Sequence, residues 1–348
     1  MRACARVLAG AAAIVLVQTS SSAQSAGDVF AGKTITIVVG YDAGGGYDQY
    51  ARLFANHASS HIPGRSALVV RNMPGAGSLR SANFLFNVAP KDGTTIGTFG
   101  QNLPMHQATG GANVEYDSVS FNWLGNFSSE INVVTVWHTT RINSIQDVMK
   151  RELTVGATAP NSTSFLFPTI MNNILGTKFK IIVGYPGGQS IPLAMERGEV
   201  GGRGSESWSA LLSLRRDWLK EGKVKVLVQI GLQRHPGIPD VPLMSDLAKT
   251  EEDKRVLELL SSSTAIGRPL VAPPSVSSSV VAVLRQAFDR TVRDPAFVAE
   301  AERAGLELES TSGEELQKIV TQIMSTPKHI IANAQKAQTS GEIIQLKK

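Results

Sequence analysis

Apolar residues along this chain recur in two kinds of run that alternate. Ile35 to Val39 and Ala67 to Val70 are short apolar stretches with the length of strands, and Thr94 to Phe99, after the turn Pro90-Lys91-Asp92-Gly93, is a third strand candidate. Between them the spacing changes: Ala51, Phe54, Ala55, Ala58 and Ile62 repeat at helical intervals, and so do Leu79, Ala82, Asn83 and Phe86. The pattern returns downstream in Leu153 to Val155, in a polar turn from Ala159 to Ser164 that opens a helix, in Ile181 to Val183, and in a helix through Leu193, Ala194 and Arg197. Strand alternating with helix predicts an α/β fold, here as two lobes with a mostly parallel sheet in each. The run Ile131 to Val136 is expected to be a buried strand passing between lobes, and Val224 to Ile230 to carry the chain back. With a boundary near Gly125, residues 24–124 plus 232–348 form the first lobe and 125–231 the second. The last hundred residues read as mostly helical, with a stripe from Val280 to Val292, a helix from Asp294-Pro295 to Gly305, and a capping box of Ser312 and Glu315 before Leu316.

The loops carry the candidate chemistry. Gly40-Tyr41-Asp42-Ala43-Gly44-Gly45-Gly46-Tyr47-Asp48 joins the first strand to the first helix, and Arg71-Asn72-Met73-Pro74-Gly75-Ala76-Gly77-Ser78 does the same after the second. On neighbouring parallel strands the two loops would face each other at the sheet end where such folds bind ligands. Glycines there free the backbone N–H groups, and a helix start adds partial positive charge, so the first loop reads as an anion receptor or, equally, as a tight turn needing positive φ. Neither phosphate-loop nor dinucleotide spacing fits these residues, which argues against nucleotides. Asp42 and Asp48 could form an acid and base pair, though Asp48 also suits the first turn of a helix. Arg203, in Gly201-Gly202-Arg203-Gly204-Ser205, could reach a ligand carboxylate or simply lie at the surface. His57 and His61 have a metal-like spacing but no accompanying glutamate, so a solvated helix flank is expected. Gly204-Ser205-Glu206-Ser207-Trp208 lacks the last glycine of a hydrolase elbow.

Composition adds the setting. The chain has 348 residues, 42% hydrophobic and 18% charged, ample for ordinary cores. Arg2 and Arg6, the apolar stretch Val7 to Val17 and Ser21-Ser22-Ala23 have the order of a secretory signal, residues 1–23. Cys4, the single cysteine, falls inside it, which leaves no thiol chemistry to the exported part. Removing the two arginines lowers the formal charge of +5 by two, too little to suggest nucleic acid. No other run approaches the about 18 apolar residues of a membrane span, so no anchor is expected after export.

With these residues laid out, the chain resembles the periplasmic solute-binding proteins of the tripartite tricarboxylate transporter family, the Bug family. The likeness rests on Ala43-Gly44-Gly45-Gly46-Tyr47-Asp48 with Ala51-Arg52, on Asn72-Met73-Pro74-Gly75-Ala76-Gly77, on Pro90-Lys91-Asp92-Gly93-Thr94 and on Pro239-Asp240-Val241-Pro242. The run from Asp294-Pro295 through Ala304-Gly305-Leu306 adds to it. The resemblance implies a monomeric clamshell that closes on a small carboxylate and delivers it to separate membrane subunits, without cofactor, metal or catalysis. It also implies that the glycine loops hold one carboxylate through backbone amides and water while the second lobe reads the far end.

Carried over, the candidates are Tyr41, Ala43, Gly44, Gly45 and Asp48 in the first loop, Gly75, Ala76, Gly77 and Ser78 in the second, Gln101 and Asn102 after the third strand, Ser162 and Thr163 in the second lobe, and Arg203 with Ser205. Tyr41, Tyr47 and Phe165 depart from the family's usual residues, and aromatics near the cleft would suit a bulkier or aromatic acid. Two other classes stay open: a periplasmic enzyme using Asp48 or Arg203, and a module reporting occupancy to a membrane sensor.

Overall fold

A computed structural model describes residues 30–129, 131–339 and 344–346. The expected leader, 1–23 with Cys4, lies outside the described residues. The strands are β1 (Thr34–Val39), β2 (Ala67–Asn72), β3 (Thr95–Thr98), β4 (Asn122–Asn126), β5 (Asn132–Trp137), β6 (Leu153–Ala157), β7 (Phe179–Val183), β8 (Gly202–Ser207), β9 (Val224–Ile230), β10 (Pro269–Ala272), β11 (Thr311–Ser312) and β12 (Ile344–Gln345). They form two six-stranded sheets, ordered β11-β4-β10-β3-β1-β2 and β12-β7-β6-β8-β5-β9. The two-lobed α/β architecture is the expected one.

Both sheets are mixed, each with a parallel part and an antiparallel part. In the first, β1 pairs parallel with β2 and β3, while β10 runs antiparallel to β3 and β4. In the second, β7, β6 and β8 are parallel and β5 is antiparallel to β8 and β9. The strands that first enter each sheet from the other, β5 and β10, run against both of their neighbours, whereas β12 enters the second sheet parallel to β7.

Several expectations change accordingly. β4 belongs to the first sheet and extends through Asn126, beyond Gly125, and the chain enters the second sheet at Asn132. β5 is no connector, since it sits between β8 and β9 with both faces buried. β9 lies at the edge of the second sheet. The C-terminal part is less purely helical than expected, because β10 and β11 complete the first sheet, and β12 crosses back to pair with β7. Ser312 caps the helix Gly313–Met324 through the Glu315 N–H, whereas the reciprocal capping box lies at Ser144 and Asp147.

His57 and His61 face the helix Pro295–Ala304. Their Nε2 atoms lie 2.7 Å from Glu300 and 2.9 Å from Asp294, each histidine with its own carboxylate, so they lock two helices together. Under them, the rings of Phe54, Phe127 and Phe288 pack edge-on or tilted with centroids within 6 Å of one another. Gly125 lets the Phe288 ring approach its backbone, since a Cβ at Gly125 would lie 2.1 Å from that ring.

The first loop is pinned from behind. Asp48, 2% exposed, accepts the Gly44 N–H at 2.8 Å and Arg52 Nε at 2.7 Å on one oxygen, and the Asn72 side-chain amide at 2.8 Å on the other. Asn72 also donates to the Tyr41 carbonyl, so the end of β2 holds the loop that follows β1. Burial pushes the Asp48 pKa up, but the bonds from Arg52, Gly44 and Asn72 outweigh it and leave the carboxyl below its ordinary value.

Gly125→Ala is expected to cost about 1–3 kcal/mol by overpacking against Phe288, read from the denaturant midpoint. Asp48→Ala is expected to cost about 1–3 kcal/mol at neutral pH, with unmet donors left behind. Because the native pKa is depressed, that contribution is present above the unfolded value of 3.8 and lost as pH falls through the native one, so the gap between the two unfolding curves should narrow in acid.

Candidate functional site

The two sheets meet at a cleft enclosing about 820 Å³ between protein atoms, its mouth included. Parallel strands end there and helices begin there, so helix starts from both lobes converge. Gly45, Gly46 and Tyr47 bring in the start of the helix Gly46–Ala58, Ser162 and Thr163 that of Thr163–Ile170, and Ser207 and Ala210 that of Trp208–Lys220. The first N–H groups of a helix have no partner within it and carry partial positive charge, so this geometry favours an anion between the lobes.

The three glycines of the first loop serve three separate needs. Gly44 alone has positive φ, +80°, as a tight turn requires. Gly45, at φ −76°, is the N-cap and faces the cleft with a backbone any residue could adopt. Gly46 permits close approach, because a Cβ there would lie 2.8 Å from the Arg268 guanidinium and 3.2 Å from Ala210 across the cleft.

The second lobe contributes mainly through β8. Side chains alternate along a strand, so Arg203, Ser205 and Ser207 share one face and all line the cleft. Gly202 before Arg203 and Gly204 after it are glycine because a Cβ would meet the Thr135 carbonyl at 2.4 Å or the Pro168 ring at 2.5 Å. Arg203 Nη1 donates to the Gly188 carbonyl at 3.3 Å and lies 3.4 Å from Glu206, which also accepts from the Thr135 hydroxyl. Its Nε, the Ser205 hydroxyl and the Asn132 side-chain nitrogen are buried with no partner among the described residues. Burial lowers the Arg203 pKa from its ordinary value; Glu206 opposes this and the Arg268 charge adds to it. Such donors are what an incoming oxygen anion would satisfy.

Direct bonds join the lobes. Gln189 Nε2 donates to the Gly44 carbonyl at 2.6 Å while Arg215 donates to Gln189 Oε1 at 2.7 Å. The Asn102 amide donates to the Asn161 carbonyl, and Ser213 to Gln49 at 3.2 Å. Asp42 accepts from the Gly188 backbone, and burial raises its pKa from the ordinary value. A Cβ at Gly187 would sit 1.7 Å from the Asp42 carboxylate, so the two loops touch only because that residue is glycine.

Of the residues expected at the site, Tyr41, Gly45, Gln101, Asn102, Ser162 and Thr163 come together in the cleft, as do Arg203 and Ser205. Ala43 and Gly44 are exposed and do not line the cleft, the Gly44 carbonyl meeting Gln189, and Asp48 lies behind the loop. Gly75, Ala76, Gly77 and Ser78 border a second space on the other side of Tyr41. Phe165 is 3% exposed in the apolar core and contributes no aromatic surface to the cleft. Tyr41 and Tyr47 do, stacked at 4.8 Å.

Arg268 escaped the sequence reading altogether. It stacks on the Tyr47 ring with its guanidinium carbon 4.3 Å from the centroid, and its backbone N–H donates to Asn126 at 2.7 Å beside the crossing between sheets. The available signal was a lone arginine between Gly267 and Pro269 at the start of an apolar run. Among the described residues no group of three His, Cys, Asp or Glu could hold a metal, and no helix is long and apolar enough to cross a membrane.

Comparison with known proteins gives a consistent picture. A protein from Cupriavidus necator, described as a UPF0065 protein in the gbd 5′ region, is 25% identical over 301 residues, covering 84% of this chain and 85% of that one. Among solved structures, the periplasmic binding protein BugD superposes with a TM-score of 0.71 at 20% identity, covering 90% of this chain and 99% of the other. An R. palustris protein solved with adipate gives 0.68 at 19% identity, with coverage of 90% and 99%. MatC of Rhodopseudomonas palustris, solved with bound malate, gives 0.68 at 18% identity, with coverage of 86% and 99%. The profile of the tripartite tricarboxylate transporter family receptor matches residues 51–335, most of the chain, and the protein belongs to that family of solute-binding proteins.

Proposed function

We propose that this protein is exported, captures a small carboxylate in the interlobe cleft, and delivers it to separate membrane transporter subunits in the periplasm. In this reading residues 24–124 with 232–348, and 125–231, are the two jaws, except that the end of β4 belongs to the first and β12 to the second. The observation that carries it is the convergence of helix starts from both lobes on a cleft whose wall presents the unpartnered donors of Arg203, Ser205 and Asn132. Adipate and malate in two structures of the same fold support a carboxylate. An enzymatic role for Asp48 gains nothing from the geometry, since its carboxylate is held behind the loop by Gly44, Arg52 and Asn72.

Calorimetric titration of residues 24–348 with mono-, di- and tricarboxylates tests the proposal. At least one acid should bind and be recovered unchanged, and turnover of that acid would refute it. Gly187→Val should unfold at the wild-type denaturant midpoint yet bind at least about tenfold more weakly, a loss of about 1.4 kcal/mol, because the added side chain holds the loop off Asp42 and keeps the jaws apart. A variant that binds as tightly as wild type would remove closure from the mechanism.

A further inference from the structure

The space between the lobes does not end at the cleft. A second chamber of about 560 Å³, its open side included, lies between the Gly75–Ser78 loop of the first lobe and the loop carrying Tyr185 and Pro186 in the second. Two residues, Tyr41 and Thr158, line both spaces. We propose that Tyr41 divides one interlobe cavity into two chambers and thereby sets the length of ligand the protein accepts.

The partition is firmly built. Tyr41 stacks on Tyr47, and Tyr47 is fixed in turn by Arg268 on its ring, by its hydroxyl donating to the Gly267 carbonyl at 3.2 Å, and by accepting the Gln101 N–H at 3.0 Å. At its other end the Tyr41 hydroxyl bonds to Ser78, whose Oγ accepts the Gly100 N–H at 2.7 Å. A Cβ at Gly100 would lie 2.8 Å from that hydroxyl, so glycine makes room for the phenol. Burial raises the pKa of Tyr41, which keeps its proton as a neutral wall.

The far chamber is equipped for a polar group. The Thr158 hydroxyl, on a residue that lines both spaces, is buried with no partner among the described residues. Buried polar groups in folded proteins are nearly always bonded, so this hydroxyl marks where the distal end of a longer acid would be received once the wall is removed.

This inference rests on the carboxylate reading above, and the test separates the two. Succinate, adipate, suberate and sebacate are titrated calorimetrically into wild type, Tyr41→Phe and Tyr41→Ala, with Tyr41→Leu as a second opening variant and unfolding curves for each. Wild type and Tyr41→Phe should share one ranking that falls with chain length. In Tyr41→Ala and Tyr41→Leu the ratio of long-acid to short-acid affinity should rise by about tenfold or more. A folded opening variant with the wild-type ranking, even at uniformly lower affinity, overturns the partition and leaves the carboxylate reading intact. If no acid of the series binds wild type or either opening variant, the partition falls, and the wider panel of acids above decides the carboxylate reading.

Discussion

The buried carboxylate of Asp48 is where three pieces of the first lobe are made to agree. Its three donors come from the loop after β1, from the helix that follows and from the end of β2. Without it, the glycine-rich loop would have little to fix it, because glycine is the residue with the most conformational freedom to lose. The site needs that loop in one place, since Gly45, Gly46 and Tyr47 form the cleft wall and the Gly44 carbonyl is the acceptor for Gln189 across the gap. A residue that touches no cleft surface thus governs both the shape of the wall and the point where the second lobe attaches. Its charge is used inward, on the fold.

The cleft itself works through dipoles more than through free charge. Arg203 has Glu206 beside it, and Arg268 lies on an aromatic face, so the nearby cations are already engaged. The N–H groups at helix starts and the hydroxyl and amide donors on β5 and β8 do not titrate in the physiological range, and their field is present before any ligand arrives. Preorganised donors of this kind favour a hydrogen-bond acceptor without a large reorganisation cost. The second loop shows the strain such placement can require. Gly75, Ala76, Gly77 and Ser78 all have positive φ, and two of these are not glycine.

How much was legible follows from how local each cause is. β1 and its helix could be read because continuous apolar residues give way to helical spacing within one stretch of chain. β8 could not, since Gly202 and Gly204 erase the strand signal, and the reason for them is the approach of Thr135 and Pro168 from elsewhere in the sequence. Arg268 was hidden for a similar reason, as nothing near Gly267 announces a tyrosine from the first loop. Phe165 misled in the opposite direction: its sequence position is beside the cleft, but the helix Thr163–Ile170 turns it into the core. Local glycines and caps expose loops, while the way a side chain faces depends on the partners that the fold supplies.

The order of strands in the two sheets has a mechanical consequence. The chain passes from the first sheet to the second between β4 and β5, returns between β9 and β10, and crosses again before β12. Near the last crossing, Asn173 of the second lobe holds the carbonyls of Ala337 and Thr339 at 2.9 and 2.8 Å. Two bodies joined by a single strand can swivel and drift, whereas connections that reach both edges of the second sheet, β5 and β9 on one side and β12 on the other, restrict twisting between them. A joint restricted in this way has few poses to sample, and the conformational entropy lost on shutting it is small. Economy of motion of this kind lets a modest number of hydrogen bonds hold the jaws together and still let go.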